Sequence, residues 1–155
     1  MSIGRRIRRT RSGEIRLRLP EHERALLREV AAGTRLRLAA GDDDPALRRL
    51  FPPAYAEPER DREYQELMRG QLRSGRARAL EVLESTVDRT SLSAEEADAW
   101  LRALNDARLV LGTELDVDEE LDWNGIGQDD PHALEYAVYS YLSWIQEQLV
   151  AAADR

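Results

Sequence analysis

Residues Asp116-Val117-Asp118-Glu119-Glu120-Leu121-Asp122 place five carboxylates within seven positions. Such a density of hard oxygen donors suits a divalent cation. A calcium loop of the EF-hand type also needs glycine at its sixth position and a bidentate glutamate at its twelfth. Counted from Asp116 those positions hold Leu121 and Gly127, and counted from Asp118 they hold Trp123 and Asp129. Both registers fail, so the run reads as a solvated acidic loop and no metal ligand is assigned. Carboxylate pairs of the glycosidase kind carry no signal either, because the chain has 30 Asp and Glu among 155 residues.

Other chemistries lack a necessary part. The chain has no cysteine, which removes disulfides, thiolate catalysis, zinc ribbons and iron–sulfur ligation. All 23 basic residues are arginine, which removes a lysine Schiff base and the lysine-containing phosphate loop. His22 and His132 have no second histidine or cysteine at ligand spacing. No Gly-x-Gly-x-x-Gly or Gly-x-Ser-x-Gly occurs. No catalytic residue and no cofactor follow from these residues.

Arginine is where the chemistry gathers. Residues 1–80 carry 19 Arg against 12 Asp and Glu, a net of +7, whereas residues 81–155 carry a net of −14. Either the two halves pair within one fold, or a basic patch stays open for an acidic partner. Arg108 falls between Leu104 and Leu111 on an apolar helical stripe. Turned inward it needs a polar partner, such as adjacent Asn105 or a glutamate (Glu135 or Glu147) of the last helix; at the stripe's edge its head reaches water.

A β-hairpin over residues 3–19 positions the remaining candidates. Glu14-Ile15-Arg16-Leu17-Arg18-Leu19 alternates strictly, so Ile15, Leu17 and Leu19 share one face. A three-residue loop, Arg11-Ser12-Gly13 with Gly13 left-handed, pairs Ile7 with Leu17 and keeps the apolar side together. That register sends Arg6, Arg8, Arg16 and Arg18 to the outer face. Like charges directly across a ladder destabilise it, so nearby carboxylates or a partner must relieve them.

Residues 20–155 read as a helical bundle of four to five helices. Pro20 opens the first, with Leu26, Leu27, Val30 and Ala31 inward. Asp44 caps a short helix from Pro45 to before Pro52. A long helix over residues 58–88 buries Tyr64, Leu67, Met68, Leu72, Ala79, Val82, Leu83 and Val87, with a bend expected near Gly70 and Gly75. Ser93 and Glu96 form a capping box for a helix to about Leu111. The acidic loop spans 114–130. Asp130 then caps a last helix with Pro131 at its first position and Leu134, Val138, Tyr141, Leu142, Ile145 and Leu149 inward. The fold class is mainly α with an N-terminal hairpin, in a single domain over residues 1–155. Residues 1–19 have no apolar stretch of the signal-peptide kind. The longest uncharged apolar stretch, residues 136–146, is far below the roughly 20 residues of a membrane span. A cytoplasmic protein with no membrane contact is expected; no oligomeric state is assigned.

Three stretches resemble a known family: Asp44-Pro45-Ala46-Leu47-Arg48-Arg49-Leu50-Phe51-Pro52 with Ala54-Tyr55, then residues 100–113 (WLRALNDARLVLGT), then residues 139–147 (YSYLSWIQE). With the arginine-rich opening they are similar to the actinobacterial family called domain of unknown function two thousand seventeen. The resemblance covers nearly the whole chain. It implies a small cytoplasmic protein, and many members are labelled oxidative-stress transcriptional regulator, a role that rests on a cysteine-based switch acting through a sigma factor. This chain has no cysteine to oxidise, and the family supplies no catalytic residue. The leading expectation is a non-enzymatic regulatory or adaptor protein. It would bind a transcription or proteolysis component through Arg6, Arg8, Arg16 and Arg18, with Asn105 and Arg108 structural. The alternatives are a nucleic-acid-binding module using the same arginines, and a small metal-dependent hydrolase using the acidic loop.

Overall fold

A computed structural model describes residues 4–41 and 44–154. Ile3 of the expected hairpin and Asp42 and Asp43 of the expected turn lie outside the described residues. The chain is mainly α, with α1 (Glu21–Ala40), α2 (Pro58–Thr86), α3 (Ala94–Glu114) and α4 (Ala133–Ala153), and 3-10 turns at Pro45–Leu50 and Trp123–Gly125. Strands β1 (Ile7–Arg9), β2 (Ile15–Leu17) and β3 (Ser91–Leu92) form an antiparallel sheet in the order β1-β2-β3.

The hairpin has the expected register: Ile7 pairs with Leu17 and Arg8 with Arg16. Gly13 has a φ of 94°, the backbone that a three-residue loop requires and that only glycine adopts freely. Ile7, Ile15 and Leu17 are buried on the inner face. The third strand was not anticipated. It pairs Ile15 with Leu92 and Arg16 with Ser91, and two residues are too few to show an alternation.

Local caps set the helix starts. Ser93 Oγ accepts from Glu96 N–H at 3.1 Å while Glu96 Oε1 accepts from Ser93 N–H at 2.9 Å. That backbone bond, with Arg89 adding to it, holds the Glu96 carboxyl below its ordinary range. Asp44 Oδ1 accepts from Ala46 N–H at 2.9 Å. The last helix begins later than expected. Asp130 Oδ1 accepts from His132 N–H at 2.8 Å and its carbonyl accepts from Ala133 N–H at 3.0 Å. These short-range bonds close a turn around Pro131, and regular helix starts at Ala133.

α3 lies at the centre of one connected core. Trp100 and Leu104 are buried among Leu80 and Leu83 of α2, Leu27 and Leu38 of α1, and Leu142, Ile145 and Leu149 of α4, with Ile7 and Leu92 closing the sheet end. Two expected core positions are exposed instead, Leu67 at 79% and Leu134 at 75%. α2 continues unbroken past Gly70 and Gly75, but its buried residues begin only at Ala79, so Leu67 has no covering helix. Leu134 sits in the first turn of α4, at the rim of a trough described below. The acidic loop is not wholly solvated: Leu115 and Val117 are buried, and Trp123 stacks on Tyr139 with centroids 5.8 Å apart. No helix among the described residues is long and apolar enough to cross a membrane.

Candidate functional site

Several helix arginines find carboxylates. Arg35 grips Glu84 with two bonds of 2.8 and 3.1 Å. Arg37 does the same to Asp44 at 2.8 and 3.0 Å and also reaches Glu114. The Arg37 guanidinium is the main reason the Asp44 carboxyl lies below its ordinary range, the Ala46 N–H adding to it. Arg28 bonds Asp88 at 2.6 Å. Arg76 bonds Asp106, and its second nitrogen donates to Leu50 O at 2.8 Å. Arg24 donates to the carbonyls of Leu19, Val87 and Arg89, closing the chain segment that leads into β3. Four of these pairs join the basic first half of the chain to its acidic second half, so much of the charge asymmetry is resolved internally.

The sheet arginines differ. Arg8, Arg16 and Arg18 are exposed, and no ion pair among the described residues reaches them. Arg8 and Arg16 are direct cross-strand partners, and Arg18 follows β2, its N–H donating to Arg6 O at 2.8 Å. Arg6, expected on the same open face, is turned away from it. Its Nε lies 3.2 and 3.1 Å from the two oxygens of Glu23, and its Nη2 lies 3.0 Å from Oε2. Its guanidinium also sits 5.6 Å from the Trp144 ring centroid.

The physical cause is Glu23, a buried carboxylate in the first turn of α1. A charge taken out of water needs a partner. Arg6 provides the cation, and Tyr141 of α4 donates its hydroxyl to Glu23 Oε1 at 2.8 Å. Burial, with the Glu23 bond adding to it, pushes the Tyr141 hydroxyl upward, so it stays protonated and donates. Gln148 completes the tie: its Oε1 accepts from Arg6 N–H at 2.7 Å and Ile7 N–H at 3.1 Å. Glu23→Ala is expected to lower stability by about 2 kcal/mol, the scale for hydrogen bonds to a charged group. A urea titration of the variant checks this, and an unchanged midpoint would show that the cluster contributes nothing net.

Arg108 is half-buried, and its Nη2 donates to Asn105 Oδ1 at 3.3 Å. No ion pair to Glu135 or Glu147 is found among the described residues. Two buried acids were missed in the sequence, Glu23 and Asp106. Their signal is helical spacing: Glu23 precedes Leu27 and Ala31 on one stripe, and Asp106 sits between Ala103, Ala107 and Val110.

The carboxylates after α3 do not converge. Asp118, Asp122 and Asp130 each accept a backbone N–H two residues on, at 2.9, 3.1 and 2.8 Å. Among the described residues no group of three or more His, Asp or Glu is placed to hold a metal ion. His22 and His132 are exposed.

Residues 4–153 match the family described as Domain of unknown function (DUF2017). The chain belongs to that family. It is similar to the putative oxidative stress regulator AosR of Mycobacterium leprae (strain TN), with 29% identity over 142 residues, 80% of this chain and 65% of the relative. It is also similar to the oxidative stress regulator AosR of Mycobacterium tuberculosis (strain ATCC 25618 / H37Rv), with 31% identity over 144 residues, 79% of this chain and 64% of the relative. The chain thus matches just under two thirds of the length of these relatives. No solved structure matches it.

Proposed function

We propose that this chain is a non-enzymatic regulatory or adaptor protein, a single domain that acts in the cytoplasm by contact with another protein. The exposed arginines of the sheet, Arg8, Arg16 and Arg18, carry the contact, and Arg6 anchors the hairpin at its margin. The partner presents carboxylates and belongs to the transcription or proteolysis machinery. One observation carries this reading: three exposed guanidiniums share a sheet face and no ion pair among the described residues reaches them, while Arg28, Arg35, Arg37 and Arg76 on the helices take carboxylates from the fold. Guanidinium suits bidentate capture of carboxylate, and relief of the repulsion between Arg8 and Arg16 adds to the gain on binding. The regulator names of its family relatives support the reading. With no cysteine among these 155 residues, no thiol switch operates within them.

The test is capture from the native host with the triple variant Arg8→Glu, Arg16→Glu, Arg18→Glu, leaving Arg6 in place so that Glu23 keeps its cation. Loss of a protein recovered by the parent chain is expected, and unchanged recovery would sink the idea. A mobility-shift titration on duplex DNA at low salt separates the remaining use of an arginine face. Neutralised phosphates would give steeply salt-dependent binding, and the protein-contact reading expects none.

A further inference from the structure

Both α1 and α4 pack on α3, and an apolar trough runs between them. Its upper part is a cavity of about 530 Å³ lined by Glu23, Leu26, Tyr141 and Trp144. Its lower part is a cavity of about 360 Å³ lined by Val30, Thr34, Val110 and Glu135. The two meet at Leu26, Leu134 and Val138, which line both. We propose that this trough is a docking groove for one amphipathic helix of a partner protein, apolar on its buried face and carrying arginine or lysine along its flank. The proposal stands apart from the arginine face, which lies on the sheet and shares no residue with the trough except the anchored Arg6.

Length, polarity and charge together select that occupant. From His22 to Arg37 the α1 wall spans 16 residues, about 22 Å at roughly 1.5 Å per step, which matches a helix of about four turns. The wall chemistry is that of helix-in-groove recognition, where apolar anchors at three- and four-residue spacing enter the trough. Leu134, 75% exposed, stands at the rim where the two cavities meet. The charges are one-sided. Arg37 is saturated by Asp44 and Glu114, and Arg6 by Glu23. Glu29 and Glu135 remain without an ion pair among the described residues, and Glu135 Oε2 is shielded from solvent with no hydrogen-bond donor. A cationic flank supplies that donor. The same surplus of negative charge disfavours a second copy of this groove as the occupant.

The experiment uses the full chain and two fluorescent peptides of about 16 residues. They share a leucine stripe; one has arginine flanks and the other glutamate flanks. Fluorescence polarisation is expected to show saturable binding of the arginine peptide, with a shift in Trp144 emission, at least about tenfold tighter than its twin. Leu134→Arg with Glu135→Arg, both at the open start of α4, should weaken binding by about tenfold or more. Glu29→Arg on the opposite wall should weaken it independently, which covers the case of a folding defect in the first variant. The triple arginine variant of the sheet should bind the peptide like the parent, so failure of the sheet reading is distinguishable from failure here. Equal binding of both peptides, no binding, or parent-like binding by both groove variants would overturn the proposal. So would a concentration-dependent dimer in sedimentation that the Leu134→Arg, Glu135→Arg variant abolishes.

Discussion

Replacing Trp100 with alanine is expected to lower the unfolding free energy by about 4 kcal/mol and the Tm by roughly 10 °C. The residue is 0% exposed and lies on the central helix, where the largest buried side chains converge. Alanine removes its contact area and leaves a cavity that the three helices packed on α3 cannot close without moving together. The indole is also tied. Its Nε1 donates to Thr86 Oγ1 at 2.7 Å, and that hydroxyl donates to Val82 O at 2.6 Å. Thr86→Val should therefore cost about 1–3 kcal/mol by leaving the indole N–H without an acceptor, and Trp100→Phe should cost less in that background than in the parent. Urea titrations with an unchanged m-value check both expectations. A Trp100→Ala loss below about 1 kcal/mol would place the stabilising core elsewhere.

Arg76→Ala should cost about 3 kcal/mol, because it strands the Asp106 carboxylate. Asp106 is 2% exposed and its cation comes from another helix. The low end of the range for broken buried pairs applies, since the arginine itself remains partly in solvent. Burial pushes the Asp106 carboxyl upward, and Arg76 opposes that rise. Without Arg76 the folded-state value climbs further above the unfolded value of about 3.9. A folded state that holds a proton the unfolded chain has released loses stability as pH rises through that window. The deficit of the variant relative to the parent should therefore shrink on acidification from neutral pH. Reading the difference at each pH cancels the opposite trend from Asp44 and Glu96, whose lowered values make their contribution fade in acid. Asp106→Asn in the Arg76→Ala background should flatten the pH dependence. A deficit that grows on acidification would contradict the pairing.

Much of the fold was legible in local spacing. Period-two alternation and Gly13 fixed the hairpin register, Ser93 and Glu96 announced the start of α3, and the family resemblance held. What failed depends on a distant neighbour. An apolar stripe reveals which face of a helix prefers to be covered, but not whether another helix reaches that far; hence Leu67 and Leu134. β3 is two residues long and exists because β2 offers it an edge. Arg6 looked like its neighbours in the strand pattern, and only the fold brings Glu23 and Tyr141 beside it. The same limit hid the pairing of Arg76 with Asp106, residues of two helices that lie 30 positions apart in sequence.

The bond from Ile7 to Gln148 has a further consequence. Leu17 N–H points toward Thr90 O, so Ile7 N–H faces the outer margin of β1, where an added strand would begin to pair. Gln148 stoppers that donor with its side-chain carbonyl, and α4 lies along the same margin. At the opposite margin β3 ends after two residues and passes at once into the capping box of α3. Neither side of the sheet offers a ladder to an extended peptide or to another copy, the hazard that open margins usually carry. Under the proposed reading, a partner meets the guanidiniums on the face of this sheet rather than lengthening it.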